Sequence, residues 1–110
     1  MNTLKSIYQS ALVGAVMLLG ACSGEPVDGA ALAVEKGCIA CHGQDGKAIA
    51  DIYPNLNGQW ERYLRLQLQA YRSEKRVNAV MYGMAKDLTD EEIRILAAHY
   101  GRENLVLRSR

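Results

Sequence analysis

Cys38-Ile39-Ala40-Cys41-His42 places two thiols three residues apart, with an imidazole directly after the second. Thiols at this spacing match the two vinyl groups of a porphyrin along one short turn of backbone, so each adds to one vinyl and forms a thioether. His42 then lies under the iron and supplies a nitrogen ligand. Other chemistries fit these five residues less well. A thioredoxin-type pair expects a strand–helix context, and no stretch of the chain alternates with period two. A zinc site needs a second Cys or His pair at ligand spacing, and the sequence has none. A plain disulfide leaves His42 unexplained. The residues therefore predict one covalently bound haem c.

A second iron ligand has to come from the remaining side chains. His99 is the only other histidine. It falls off the apolar stripe of the last helix and reads as a solvated surface residue. Of the four methionines, Met1 and Met17 lie in the N-terminal segment, and Met81 and Met84 precede the last helix. A thioether in that segment serves either as packing or as an iron ligand. With no other suitable donor, Met81 and Met84 are both candidates.

The N-terminus indicates the compartment. Lys5 precedes a short apolar core, Ala11 to Leu19, too short to span a bilayer comfortably. Leu19-Gly20-Ala21-Cys22 resembles the lipobox of bacterial lipoproteins, in which the signal is cut before the cysteine and that cysteine is lipidated. The count agrees, because the chain has three cysteines, the haem uses two, and Cys22 is left over. Residues 1–21 are thus expected to be a signal peptide, with a lipid on Cys22. Ser23 stands where an inner-membrane retention aspartate would be, which points to the outer membrane. Covalent haem attachment in bacteria also takes place outside the cytoplasm. The expected location is the periplasmic side of a bacterial membrane.

Without residues 1–21 the chain has 89 residues, with 12 basic and 12 acidic side chains. No single-sign field points to nucleic acid. A domain this small buries only about 60–65% of its unfolded surface and needs a staple, which a covalently held porphyrin supplies. Residues 22–28 read as a tether, 29–104 as one domain and 105–110 as a tail.

Three helices must position the haem motif. The first starts at Asp28 as N-cap, presents Ala31, Val34 and Cys38 on one face, and has Gly37 on its last turn to admit a neighbouring helix. The second spans about 58–72, with Trp60, Leu64, Leu68 and Tyr71 as its stripe. The third opens on a Thr89–Glu92 capping box with Leu88 and Ile93 in staple positions, and Gly101 ends it. The segments 43–57 and 73–88 read as irregular and long, as expected if they wrap a cofactor. The charged run at residues 72–76 reads as a solvated cluster, with a partner-docking patch as the alternative.

The chain resembles the bacterial class I monohaem cytochromes c over about residues 30–101. The resemblance rests on Gly37 to Gly43, Pro54 to Gln59, Tyr63-Leu64, Gln67-Leu68, Met81 with Ala85 and Leu88, Glu92-Ile93, Leu96-Ala97-Ala98 and Tyr100. It implies an all-α cytochrome c fold, three main helices wrapped around one covalently bound haem, the first and last crossing near Gly37 and Tyr100. It implies that the Pro54 carbonyl accepts a hydrogen bond from His42. The spacing to Leu88 implies Met81 as the sixth ligand, with Met84 the second choice. Glu74 stands where the family often carries glycine. The resemblance further implies a one-electron carrier rather than an enzyme, serving redox protein partners. These are a membrane-bound or periplasmic donor and a terminal oxidase, a reductase or a dehydrogenase. A haem subunit of a dehydrogenase complex is one alternative. A gas sensor or peroxidase-like enzyme is another, if neither methionine binds.

Overall fold

Asp28 starts the first helix. Its carboxylate accepts a hydrogen bond from the Ala30 N–H at 3.1 Å, as an aspartate N-cap does. In this computed structural model, which describes residues 24–101, helix α1 spans Gly29–Glu35. The expected signal peptide at 1–21, Cys22 and the expected tail at 105–110 lie outside the described residues.

Gly37 has a different role from the one its place in the sequence suggests. The helix is already over, and Gly37 sits at φ +74° just past it. Its N–H donates to Val34 O at 3.0 Å, and the Cys38 N–H donates to Ala33 O at 2.9 Å. That is a Schellman closure, whose left-handed residue is best filled by glycine. Among the described residues, only Met84 Cε comes within 4 Å of a Cβ built on Gly37, its chain neighbours aside. The close approach between first and last helices falls at Gly29 instead, where a Cβ would sit 2.7 Å from His99 Cβ. The inward face of α1 also differs: Leu32 and Ala33 are buried, while Val34 is 52% exposed. In a helix of seven residues, six of them small or apolar, spacing alone does not pick the buried face.

The short helix α2, Ile39–His42, follows from the cap. Residues 43–57 form turns and bends, as expected. Helix α3 spans Glu61–Arg72 with Trp60 as its N-cap, so Trp60 stands outside the stripe assigned to it. Leu64 is buried, and Leu68 and Tyr71 pack against the core.

The segment 73–88 is less irregular than its composition implies. It contains helix α4, Ala79–Ala85. The Asn78 side chain caps it, accepting from the Met81 N–H at 2.9 Å. Ala85 is fully buried, and α4 packs on α3. Tertiary packing thus stabilises a helix too short to hold by propensity.

Helix α5, Asp90–Tyr100, follows the reading most closely. The Glu92 N–H donates to Thr89 Oγ1 at 3.1 Å and the Thr89 N–H donates to Glu92 Oε2 at 2.7 Å, completing the capping box. Leu88 and Ile93 are buried on either side of the cap, and Ile93, Leu96, Ala97 and Tyr100 form the inner face. Gly101 ends α5 at φ −85°, outside the left-handed region. Its lack of a side chain serves packing, because a Cβ would lie 2.6 Å from Glu61 Cα. Among the described residues there are five helices and no strand, and α5 packs on both α1 and α3. The all-α expectation holds, with α2 and α4 added to the three main helices.

Candidate cofactor site

The three main helices leave a cleft of about 270 Å³ between α3, α5 and the irregular 54–59 stretch. Its apolar wall is Leu56, Leu64, Leu68, Leu96 and Ala97. Cys38, His42, Pro54 and Met81 also line it. The Schellman cap turns the chain at Gly37 and presents Cys38 to the cleft, and α2 then carries His42 one turn further on. His42 is 8% exposed, and its Nδ1–H donates to Pro54 O at 2.9 Å. That bond fixes the tautomer and leaves Nε2 as the free lone pair for a metal.

The thiols and thioethers divide between the cleft and its surroundings. Cys38 is half-buried, and burial pushes its thiol pKa up. Cys41, also half-buried, lies beside His42 on α2 but outside the lining. Met81 reaches the cleft from the first turn of α4. Met84, a turn later, points to Gly37, is 39% exposed and does not line the cleft.

Two residues have roles that the sequence reading did not assign. Arg76 is the one charged side chain of the lining among the described residues. Its Nη1 donates to Gln67 Oε1 at 2.6 Å, and its guanidinium lies 4.8 Å from the Tyr71 ring centroid. The turn after α3 carries it there: Glu74 adopts φ 60°, and the Arg76 N–H returns to Ala70 O at 3.1 Å. The family resemblance at Glu74 hinted at this turn, but nothing local showed that it folds Arg76 back. His99 is not a solvated surface residue. Its Nε2–H donates to Gln44 O at 2.8 Å, and its ring meets Tyr100 edge-on at 4.6 Å. The Tyr100 hydroxyl donates to Gly43 O at 3.0 Å, and burial raises its pKa to about 12.

The donor set fits an iron porphyrin. One imidazole nitrogen and one thioether line a cleft with an apolar wall, a thiol at its edge and a cation on its rim. When bound there, a haem supplies an iron that changes between two oxidation states by one electron.

The comparisons with known proteins agree with the geometry. The family model for cytochrome c matches residues 26–99. The chain is 46% identical over 69 residues to cytochrome c-554(548) of Halomonas halodenitrificans, covering 60% of this chain and 83% of that protein. It is 41% identical over 66 residues to a cytochrome c4 of Thiocapsa roseopersicina, covering 60% of this chain and 34% of that one. It is 33% identical over 64 residues to the cytochrome subunit of sulfide dehydrogenase of Chlorobaculum tepidum, covering 58% of this chain and 57% of that subunit. The chain thus spans most of the first relative but only about a third of the cytochrome c4. With the family match over more than half its length, the chain belongs to the cytochrome c family and carries electrons on one covalently bound haem c.

Proposed function

We propose that Cys38 and Cys41 form the two thioethers and that His42 and Met81 are the axial ligands. The observation that carries this is the placement of Cys38, His42 and Met81 around one cleft, with Met84 turned toward Gly37. Pro54 holds the imidazole through Nδ1, which keeps Nε2 basic and aimed inward. Met81 closes the opposite face with a soft sulfur that favours ferrous iron. Leu56, Leu64, Leu68 and Leu96 keep water from the ring. Ligands that stay in place in both oxidation states demand little reorganisation, which suits electron transfer and leaves no open position for substrate. The chain therefore acts as a carrier rather than an enzyme, outside the cytoplasm. It is held to a membrane, the outer membrane by preference, through a lipid on Cys22. Its partners are a membrane-bound or periplasmic donor and a terminal oxidase, reductase or dehydrogenase.

A dehydrogenase-bound haem subunit is the second reading. It is favoured by the exposed apolar side chains Ile52, Val77 and Val80, and by the relative named as such a subunit. Co-purification of a catalytic chain from the native membrane selects this reading over the free carrier.

The ligand assignment is tested by adding carbon monoxide to the reduced holoprotein. The wild type and Met84→Ala are expected to show no optical change at neutral pH, and Met81→Ala is expected to bind the gas. Binding by Met84→Ala alone transfers the ligand role to Met84. Rapid binding by the wild type would replace the carrier reading with sensing or catalysis.

A further inference from the structure

His42 is followed at once by Gly43 at φ +73°, where a Cβ would lie 2.2 Å from Lys47 O. Glycine is required at this turn, and it makes the exit from His42 a swivel with no side chain of its own to secure it. The last turn of α5 secures it from outside. The Tyr100 hydroxyl takes the Gly43 carbonyl at 3.0 Å, and His99 Nε2–H takes the Gln44 carbonyl at 2.8 Å. Two neighbouring side chains thus hold two neighbouring carbonyls, across a sequence separation of 57 and 55 residues. Gln44 extends the link to α1, its Nε2 donating to Ala30 O at 3.3 Å. His99 is itself held, between the Tyr100 ring at 4.6 Å and the bare backbone of Gly29.

We propose that His99 is a positioning residue for His42, acting with Tyr100 as a clamp on the 43–44 carbonyls. Pro54 O fixes one edge of the imidazole, and the clamp fixes the backbone that carries it. With the clamp released, residues 43–44 swing about the glycine and the ring turns about its Nδ1–H bond. The inference rests on the reading of His42 as an iron ligand.

The test is the proton NMR spectrum of the ferric holoprotein, where the plane of the axial imidazole governs how spin is shared among the four ring methyls of the haem. His99→Phe keeps an aromatic ring against Tyr100 and cannot donate, whereas His99→Gln keeps an N–H donor. The expected result is a changed order or spread of the methyl shifts in His99→Phe and a return toward the wild-type pattern in His99→Gln. A His99→Phe pattern that superimposes on the wild type overturns the proposal, even if the melting temperature falls. If His99→Phe takes up no haem, Tyr100→Phe removes the other half of the clamp, and the same spectrum decides: a shifted pattern supports the clamp and an unchanged one overturns it. A wild-type spectrum without hyperfine-shifted His42 ring protons overturns the ligand reading instead, and the clamp's purpose with it.

Discussion

Tyr100→Phe removes one oxygen and leaves the ring in place. The ring is 6% exposed and its hydroxyl donates to Gly43 O at 3.0 Å. The apolar area buried is the same in both proteins, so the loss is one hydrogen bond plus a half-buried carbonyl left without its donor. Together these are worth about 1–2 kcal/mol at pH 7. The pH dependence carries a second, independent signature. Burial raises the Tyr100 pKa from 10.0 to about 12, so the folded chain keeps a proton that the unfolded chain releases. A group with a raised folded pKa contributes its full stability below the unfolded value and loses it as pH climbs to the folded one. At pH 11 the wild type has therefore lost about 1 kcal/mol of this contribution, allowing for screening at the cleft rim. The phenylalanine variant has no such loss, so the gap between the two narrows to about 1 kcal/mol or less at pH 11. Guanidinium unfolding of both holoproteins at pH 7 and pH 11, followed by far-UV circular dichroism, measures it. A gap that stays constant or widens between the two pH values refutes the argument, because all other titrating groups are common to both chains.

Other substitutions probe the frame around the site. Glu74→Gly relieves a left-handed non-glycine residue whose side chain forms no hydrogen bond or ion pair among the described residues. It is expected to stabilise by about 0.5–1 kcal/mol and to raise the melting temperature by about 2–8 °C, and an unchanged or lower value contradicts it. Thr89→Ala removes the cap of α5 and is expected to destabilise by about 1 kcal/mol in denaturant unfolding. Glu92 is held down to about pKa 2, first by Lys36 at 2.7 Å and then by the Thr89 backbone. A carboxyl with a depressed folded pKa stabilises above its unfolded value of 4.5, and that stability is lost as pH falls through the window from 4.5 to about 2. Acid titration of Lys36→Met is expected to give a shallower loss across that window than the wild type.

Legibility in the sequence tracked the distance between interacting residues. The α5 capping box is a bond between residues three apart, so Thr89, Glu92 and the stripe from Ile93 to Tyr100 were all readable. The residues proposed to attach the haem form one pentapeptide, so their spacing is equally plain. Gly37 was given the wrong role because its meaning depends on where α1 stops, a matter of one or two residues. Helix α4 was missed because Gly83 and β-branched Val80 weaken its propensity, and its support comes from packing on α3. Arg76 and His99 make contacts that the sequence does not show, for the same kind of reason. The first depends on a left-handed turn at a glutamate, and the second on a carbonyl 55 residues away.

Helix α4 also bears on which small molecules reach the iron. Asn78 ties down the Met81 amide, so the thioether proposed to close the haem hangs from a turn that is already formed. With a haem bound, a sulfur released from the iron would remain on that formed turn, at an effective concentration far above that of any dissolved gas. Its return would then outrun the entry of a gas, and the site would stay closed through the rate of that return. Under the proposed ligation, the iron would thus be guarded by a short tether and a fast return.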